Sequence, residues 1–331
     1  MQTLRGIACL LLVAFHTVGA TNVSGLHVPD DSAYREFANL FAYIRMPLFT
    51  ILSGLVYAYR PLQAGSELEF IGKKLRRLGL PLIVASTLLY CLRLVTDDRT
   101  VPPAQMWTIY VFPYWHLWFV QSLLVVFVTL VVLESLRALA TFSRFMLVLT
   151  LCLALYSYGP FESRNVFGLH NATYLLPFFL CGLGAQRYRH LLQSRRALIA
   201  ALFCCVVTQG FHTYYVLTHT LAPIDALENR SIFAFLIGAS VTLCALQLVP
   251  RMRFMERIGG SSYVIYLYHP LFVAAVMLGA GARFAIPTSL LFVVGGVAGI
   301  VGPMLMVRGA REIPGGPLLL EGRGAPAVET P

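Results

Sequence analysis

Ten apolar runs, near residues 6–22, 40–58, 77–95, 115–134, 145–158, 173–186, 197–217, 231–249, 259–279 and 286–307, constrain this chain more than any other feature. Runs of that length hide their backbone polar groups from lipid by coiling, because a helix satisfies its own N–H and C=O groups. The predicted fold is therefore all-α, a polytopic membrane protein with about ten transmembrane helices. Composition agrees: 58% hydrophobic and 12% charged residues over 331 positions is too apolar for a soluble domain. The fifth and sixth runs are short, and Pro177 is expected to interrupt the sixth.

Basic residues orient these runs. With ten spans, eighteen of the 25 Lys and Arg residues fall on one side, from Arg5 through the cluster Arg60, Lys73, Lys74, Arg76 and Arg77 to Arg308, Arg311 and Arg323. The other side holds Arg35, Arg45, Arg93, Arg99, Arg164, Arg230 and Arg283. The asymmetry predicts that both termini are cytoplasmic. The net charge of +10 is dispersed over short loops instead of forming a stripe, which argues against nucleic acid and leaves membrane lipid as the partner of these charges. Seven cysteines lie in apolar stretches without the spacing of a metal site or a disulfide framework, and no metal is expected. No cleavable signal precedes the first run, which is expected to be retained. Residues 1–308 read as one integral-membrane domain, and 309–331, rich in Gly and Pro without a periodic apolar face, as a disordered cytoplasmic tail.

The first run places Arg5 at its edge and His16 inside it. Eleven positions on a helix put the two side chains within about 20° of one face and about 16 Å apart in depth, half of a hydrocarbon core. An ionisable group at that depth is costly unless it faces a protein interior or a watered cavity. His16 thus reads as a functional centre, against the plainer reading of a histidine hydrogen-bonded to a neighbouring helix.

Other stretches carry chemistry beside a structural alternative. Arg45 opens the second run, followed by Pro47 and by Ser53-Gly54. Arg45 needs a partner or an anionic ligand unless it snorkels outward, and Pro47 with Ser53 suits a lined cavity or a kinked packing helix. Lys73, Lys74, Arg76 and Arg77 form either a topology anchor on anionic lipid or a phosphate-binding mouth. Trp115 and Trp118 resemble an interfacial belt; His116 between them either faces a lumenal pocket or, as is commoner at an interface, is solvated. Tyr263, Tyr266 and His269, at i, i+3 and i+6, lay two hydroxyls and an imidazole along one stripe, with His269 about as deep as His16. Pro270 is expected to break the helix there, and a hydrogen-bonded packing stripe is the alternative.

Taken together, these residues resemble a known family. Arg5, ten residues and then His16 within Leu4-Arg5-Gly6-Ile7-Ala8; Met46-Pro47-Leu48-Phe49 with Ser53-Gly54; the basic run ahead of Pro81; His116-Leu117-Trp118-Phe119; Phe179-Leu180-Cys181-Gly182; and Ile258-Gly259 through His269-Pro270 are similar, in that order, to the membrane-bound acyltransferase-3 family. That family comprises bacterial O-acetyltransferases of surface and exported glycans. The resemblance implies an acyltransferase domain over 1–308 in the bacterial inner (cytoplasmic) membrane. It further implies acetyl-CoA as acyl donor, with no tightly bound cofactor, and a hydroxyl of a glycan or lipid-linked glycan as acceptor. On this reading His16 and Arg5 are catalytic, Arg5, Lys73, Lys74, Arg76 and Arg77 bind the donor, and Arg45, Ser53, Tyr266 and His269 bind substrate. The competing reading is a transporter or flippase for a lipid-linked sugar, in which the same residues bind without chemistry.

Overall fold

The computed structural model describes residues 1–95, 101–192, 194–218, 230–281, 284 and 286–323. Arg99, Arg283 and the tail from 324 lie outside the described residues. Within the described residues all regular structure is helical. In chain order it comprises α1 (Gln2–Val18), α2 (Ala33–Leu40), α3 (Ala42–Tyr59), α4 (Glu67–Lys74), α5 (Leu80–Val95), α6 (Thr108–Val111), α7 (Trp118–Ser135), α8 (Phe142–Tyr158) and α9 (Leu169–Arg187). There follow α10 (Arg189–Leu192), α11 (Arg195–Leu217), α12 (Ile232–Leu248), α13 (Arg253–Gly260), α14 (Ser262–Val276), α15 (Thr288–Ala310) and α16 (Gly316–Glu321). Each of the ten predicted apolar runs falls on a helix. Seven helical stretches are long and apolar enough to cross a membrane, and α1, α8 and α12 are shorter apolar helices.

Several boundaries depart from the sequence expectation for identifiable reasons. α1 stops at Val18, because Gly19 turns the chain at φ 93°, and the buried Arg35 of α2 donates to the Gly19 carbonyl. His16 consequently sits in the last turn of α1. Pro177 does not interrupt α9, which runs unbroken through it with Leu175 to Leu180 all buried, so packing outweighs the one lost backbone bond. The basic run is helical: α4 passes through a π-turn at Leu75–Gly79 directly into α5. The stretch after Gly309, expected to be disordered, carries α16. Its leucines pack against α5, Tyr268 donates to the Leu320 carbonyl at 3.4 Å, and the buried Glu321 pairs with Arg311 at 3.0 Å.

Two reciprocal glycine contacts set the bundle. α3 lies on α9 so closely that a Cβ on Gly54 would run into the Phe179 carbonyl, and one on Gly182 into the Ile51 carbonyl. α1 lies on α13 in the same manner, with Gly6 against the Met255 carbonyl and Gly259 against that of Gln2. Small residues permit this backbone approach where lipid offers no hydrophobic drive to associate. We predict that Gly54→Ala lowers stability by about 1–3 kcal/mol through overpacking, whereas Gly210→Ala, whose Cβ meets nothing within 4 Å, does not. Thermal melting in detergent checks this, and equal melting of the Gly54 variant and wild type would contradict it.

Candidate active site

Three imidazoles meet where α1, α14 and the turn before α7 converge. The His16 and His269 ring centroids are 4.8 Å apart, His116 and His269 5.0 Å, and His16 and His116 5.7 Å, all edge to face. His269 is fully buried and His116 is 7% exposed. His116 is therefore not the solvated interfacial residue expected from its tryptophan neighbours. Trp115 adopts a left-handed backbone at φ 49°, which leaves its indole half exposed while the next residue turns into the bundle.

Backbone carbonyls fix the protonation pattern. A carbonyl only accepts, so the ring nitrogen facing it must carry the hydrogen of a neutral imidazole. His16 Nδ1 donates to Leu12 O at 3.0 Å, His269 Nδ1 to Ile265 O at 2.9 Å and Tyr266 O at 3.0 Å, and His116 Nε2 to Leu267 O at 3.2 Å. The remaining nitrogens of the neutral rings, His16 Nε2, His269 Nε2 and His116 Nδ1, are therefore lone pairs. His269 Nε2 and His116 Nδ1 are buried with no hydrogen-bond partner among the described residues. Pro270 contributes here. It does not break α14, as expected from sequence, but it lacks the N–H that Tyr266 O would otherwise receive, and the His269 ring supplies that donor.

Cavities flank the cluster at the two ends of α1. One, of about 510 Å³, is lined by Arg5, Arg60, Lys74, Arg77, Ser53, Tyr263 and Tyr266, with Phe49, Phe119 and Phe127 as apolar wall. Among the described residues four cationic side chains and no carboxylate line it, which makes it suited to a polyanion. The other, of about 620 Å³, is lined by His16, His116, His27, Arg93 and Trp115, with Leu89, Leu92, Val273 and Met277 among its apolar residues. The Arg93 guanidinium lies 4.6 Å from the Trp115 ring centre. Tyr266 connects the first cavity to the cluster: it lines that cavity, its hydroxyl donates to the His116 carbonyl, and its own carbonyl holds His269.

The residues singled out in the sequence distribute unevenly over this site. His16 and His269 lie in the cluster, Tyr266 and Ser53 line the Arg5 cavity, and Ser53 Oγ donates to Phe49 O at 2.8 Å. Arg5 and His16 share α1 but face different cavities. Arg45 does not snorkel outward: it is buried, its guanidinium 3.7 Å from the centre of the Phe15 ring. Of the four clustered cations, Lys74 and Arg77 line the cavity, whereas Lys73 is exposed and pairs with Glu69 at 2.6 Å, and Arg76 lies off the lining. Helical spacing carries that signal, since 74 and 77 share one face and 73 and 76 the next. Among the described residues no three His, Cys, Asp or Glu side chains are arranged to hold a metal ion.

The apolar helical bundle defines a multi-pass membrane protein whose histidine cluster borders the Trp115 cavity through His16 and His116, with the Arg5 cavity at the other end of α1. A family model described as an acyltransferase domain matches residues 1–308, and the chain belongs to that acyltransferase-3 family. No curated protein and no solved structure matches the chain. The protein is thus a membrane acyltransferase, and the transporter reading falls away. Because Ile265 O also accepts from His269 Nδ1, Pro270→Ala, whose restored backbone N–H competes for Tyr266 O, should fold at least as stably and keep turnover within about threefold of wild type. Melting and turnover measured on the same preparation check this, and a loss of about tenfold in turnover would contradict it.

Proposed function

We propose that the protein transfers an acetyl group from cytoplasmic acetyl-CoA to a hydroxyl of a surface or exported glycan, free or lipid-linked, across the bacterial inner membrane. Ten spans with both termini in the cytoplasm put the Arg5 cavity on the cytoplasmic side, as the charge asymmetry favours. The observation that carries the reading is the position of the histidine cluster between a cavity of four cations and a second cavity with Trp115 at its wall.

In this scheme Arg5, Lys74, Arg77 and Arg60 hold the donor's phosphates, with Lys73 and Arg76 contributing only long-range charge. The thioester end of the donor extends past Tyr266 to the cluster. His16 Nε2 takes the proton of the acceptor hydroxyl as its oxygen attacks the acyl carbon, or carries the acyl group briefly itself. Arg5 stands about 16 Å from His16 along α1, so it positions the donor and does not polarise the carbonyl that His16 serves. Arg45 and the residues of the Trp115 cavity border the acceptor.

Two substitutions test the assignment. His16→Gln keeps a polar side chain of comparable reach but no base, and should lower transfer by about 10²–10⁴-fold with the protein still accumulating. Full glycan acetylation by this variant, read by mass spectrometry, would contradict the mechanism. Lys74→Gln with Arg77→Gln should raise the donor KM more than Lys73→Gln with Arg76→Gln. Equal effects of the two pairs would contradict the donor site.

A further inference from the structure

General-base catalysis by a histidine leaves an imidazolium behind, and in an apolar bundle that cation needs a partner. In many acyl-transfer sites a carboxylate fills the role. Here no carboxylate among the described residues lines either cavity, and the nearby Arg45 guanidinium, stacked on Phe15, is of the same sign. What surrounds His16 instead is a pair of imidazoles whose inward nitrogens are lone pairs without partners, His116 Nδ1 and His269 Nε2. Three neutral rings with three lone pairs and no donor between them form an unsatisfied set, with His116 Nδ1 and His269 Nε2 buried and orphaned. One added proton satisfies two of the three nitrogens at a time, because the protonated ring becomes a donor to one neighbour.

We propose, building on the acetyl-transfer reading above, that His116 is the proton-holding partner of His16, with His269 as the third member of one shared base. The balance is simple. The acceptor O–H bond breaks as the oxygen bonds the acyl carbon, and its proton goes to His16 Nε2. The C–S bond breaks, its electron pair leaving with the coenzyme A sulfur as thiolate. Between these events the proton is shared in N–H···N contacts within the cluster, and it is then delivered to the thiolate, giving ester and free thiol. The carbonyls of Leu12, Leu267 and Tyr266 occupy the outward N–H of each ring, so the extra proton can reside only on the inward nitrogens. His116 acts through His16 and not on substrate, which makes it a positioning residue. The Tyr266 hydroxyl bond to the His116 carbonyl holds it in place.

The test is His116→Gln, which retains an N–H for Leu267 O but has no lone-pair nitrogen. The expected result is a kcat lower by about 100-fold with KM for acetyl-CoA and for acceptor unchanged. A kcat within about threefold of wild type, or a raised KM with unchanged kcat, overturns the proposal. Should the Gln variant fail to accumulate, His116→Ala assayed with added imidazole replaces it, since His116 borders the Trp115 cavity and its removal leaves room for a small ring. Recovery of rate with imidazole and not with pyrrole, which has an N–H but no basic lone pair, supports the role, and any other pattern overturns it. Wild-type protein that transfers nothing from acetyl-CoA would overturn the donor assignment together with this proposal. Active wild type with equally active His116→Gln overturns this proposal alone.

Discussion

A ring nitrogen buried among apolar helices must find a hydrogen-bond partner or remain a costly orphan, and three backbone carbonyls meet this need for one nitrogen of each histidine. The consequence is chemical as well as structural. Fixing the N–H on the outward nitrogen leaves the inward one basic, so the packing that makes the imidazoles tolerable also prepares them to accept a proton. The arrangement depends on the bundle holding α1, α14 and the start of α7 within a ring's width of each other. The glycine contact of α1 with α13, which leads directly into α14, contributes to that closeness.

Electrostatics separates the two cavities. The Arg5 cavity is a concentration of positive charge with aromatic walls, and among the described residues neither it nor the Trp115 cavity is lined by a carboxylate. In the proposed scheme a polyanionic donor is stabilised at one end of α1, and an uncharged or weakly charged acceptor is compatible with the other. The π-turn at Leu75–Gly79 matters in the same way: it lets one continuous helix present Lys74 and Arg77 to the cavity, while Tyr263 donates to the Leu78 carbonyl at 3.1 Å and braces it. Gly322, just past α16, touches the backbone of Arg76 and Arg77, so the segment beyond the family match also bears on this turn.

Much of this was legible in the sequence. Hydropathy located all ten apolar helices, and the common level of His16 and His269 followed from helical rise alone. The pocket-facing position of His116 was the less favoured of two readings, because a histidine between two tryptophans has the pattern of a membrane interface, and the left-handed backbone at Trp115 precedes its turn inward. The split between Lys74 with Arg77 and Lys73 with Arg76 was hidden by reading their stretch as a loop, although their spacing contains it. The effect of Pro270 was opposite to expectation, since the helix continues through a proline when a side chain supplies the missing donor. α16 was missed because three leucines between glycines and a proline are too few to show a period.

The central claim is that donor and acceptor reach one histidine cluster from opposite sides of the membrane. Proteoliposomes of uniform orientation, with labelled acetyl-CoA supplied only on the side of the Arg5 cavity and the glycan acceptor enclosed only on the other, measure it directly. The account predicts that labelled ester accumulates on the enclosed glycan while the coenzyme stays outside, and that reversing the two compartments abolishes transfer. Transfer that requires donor and acceptor on the same side would contradict it.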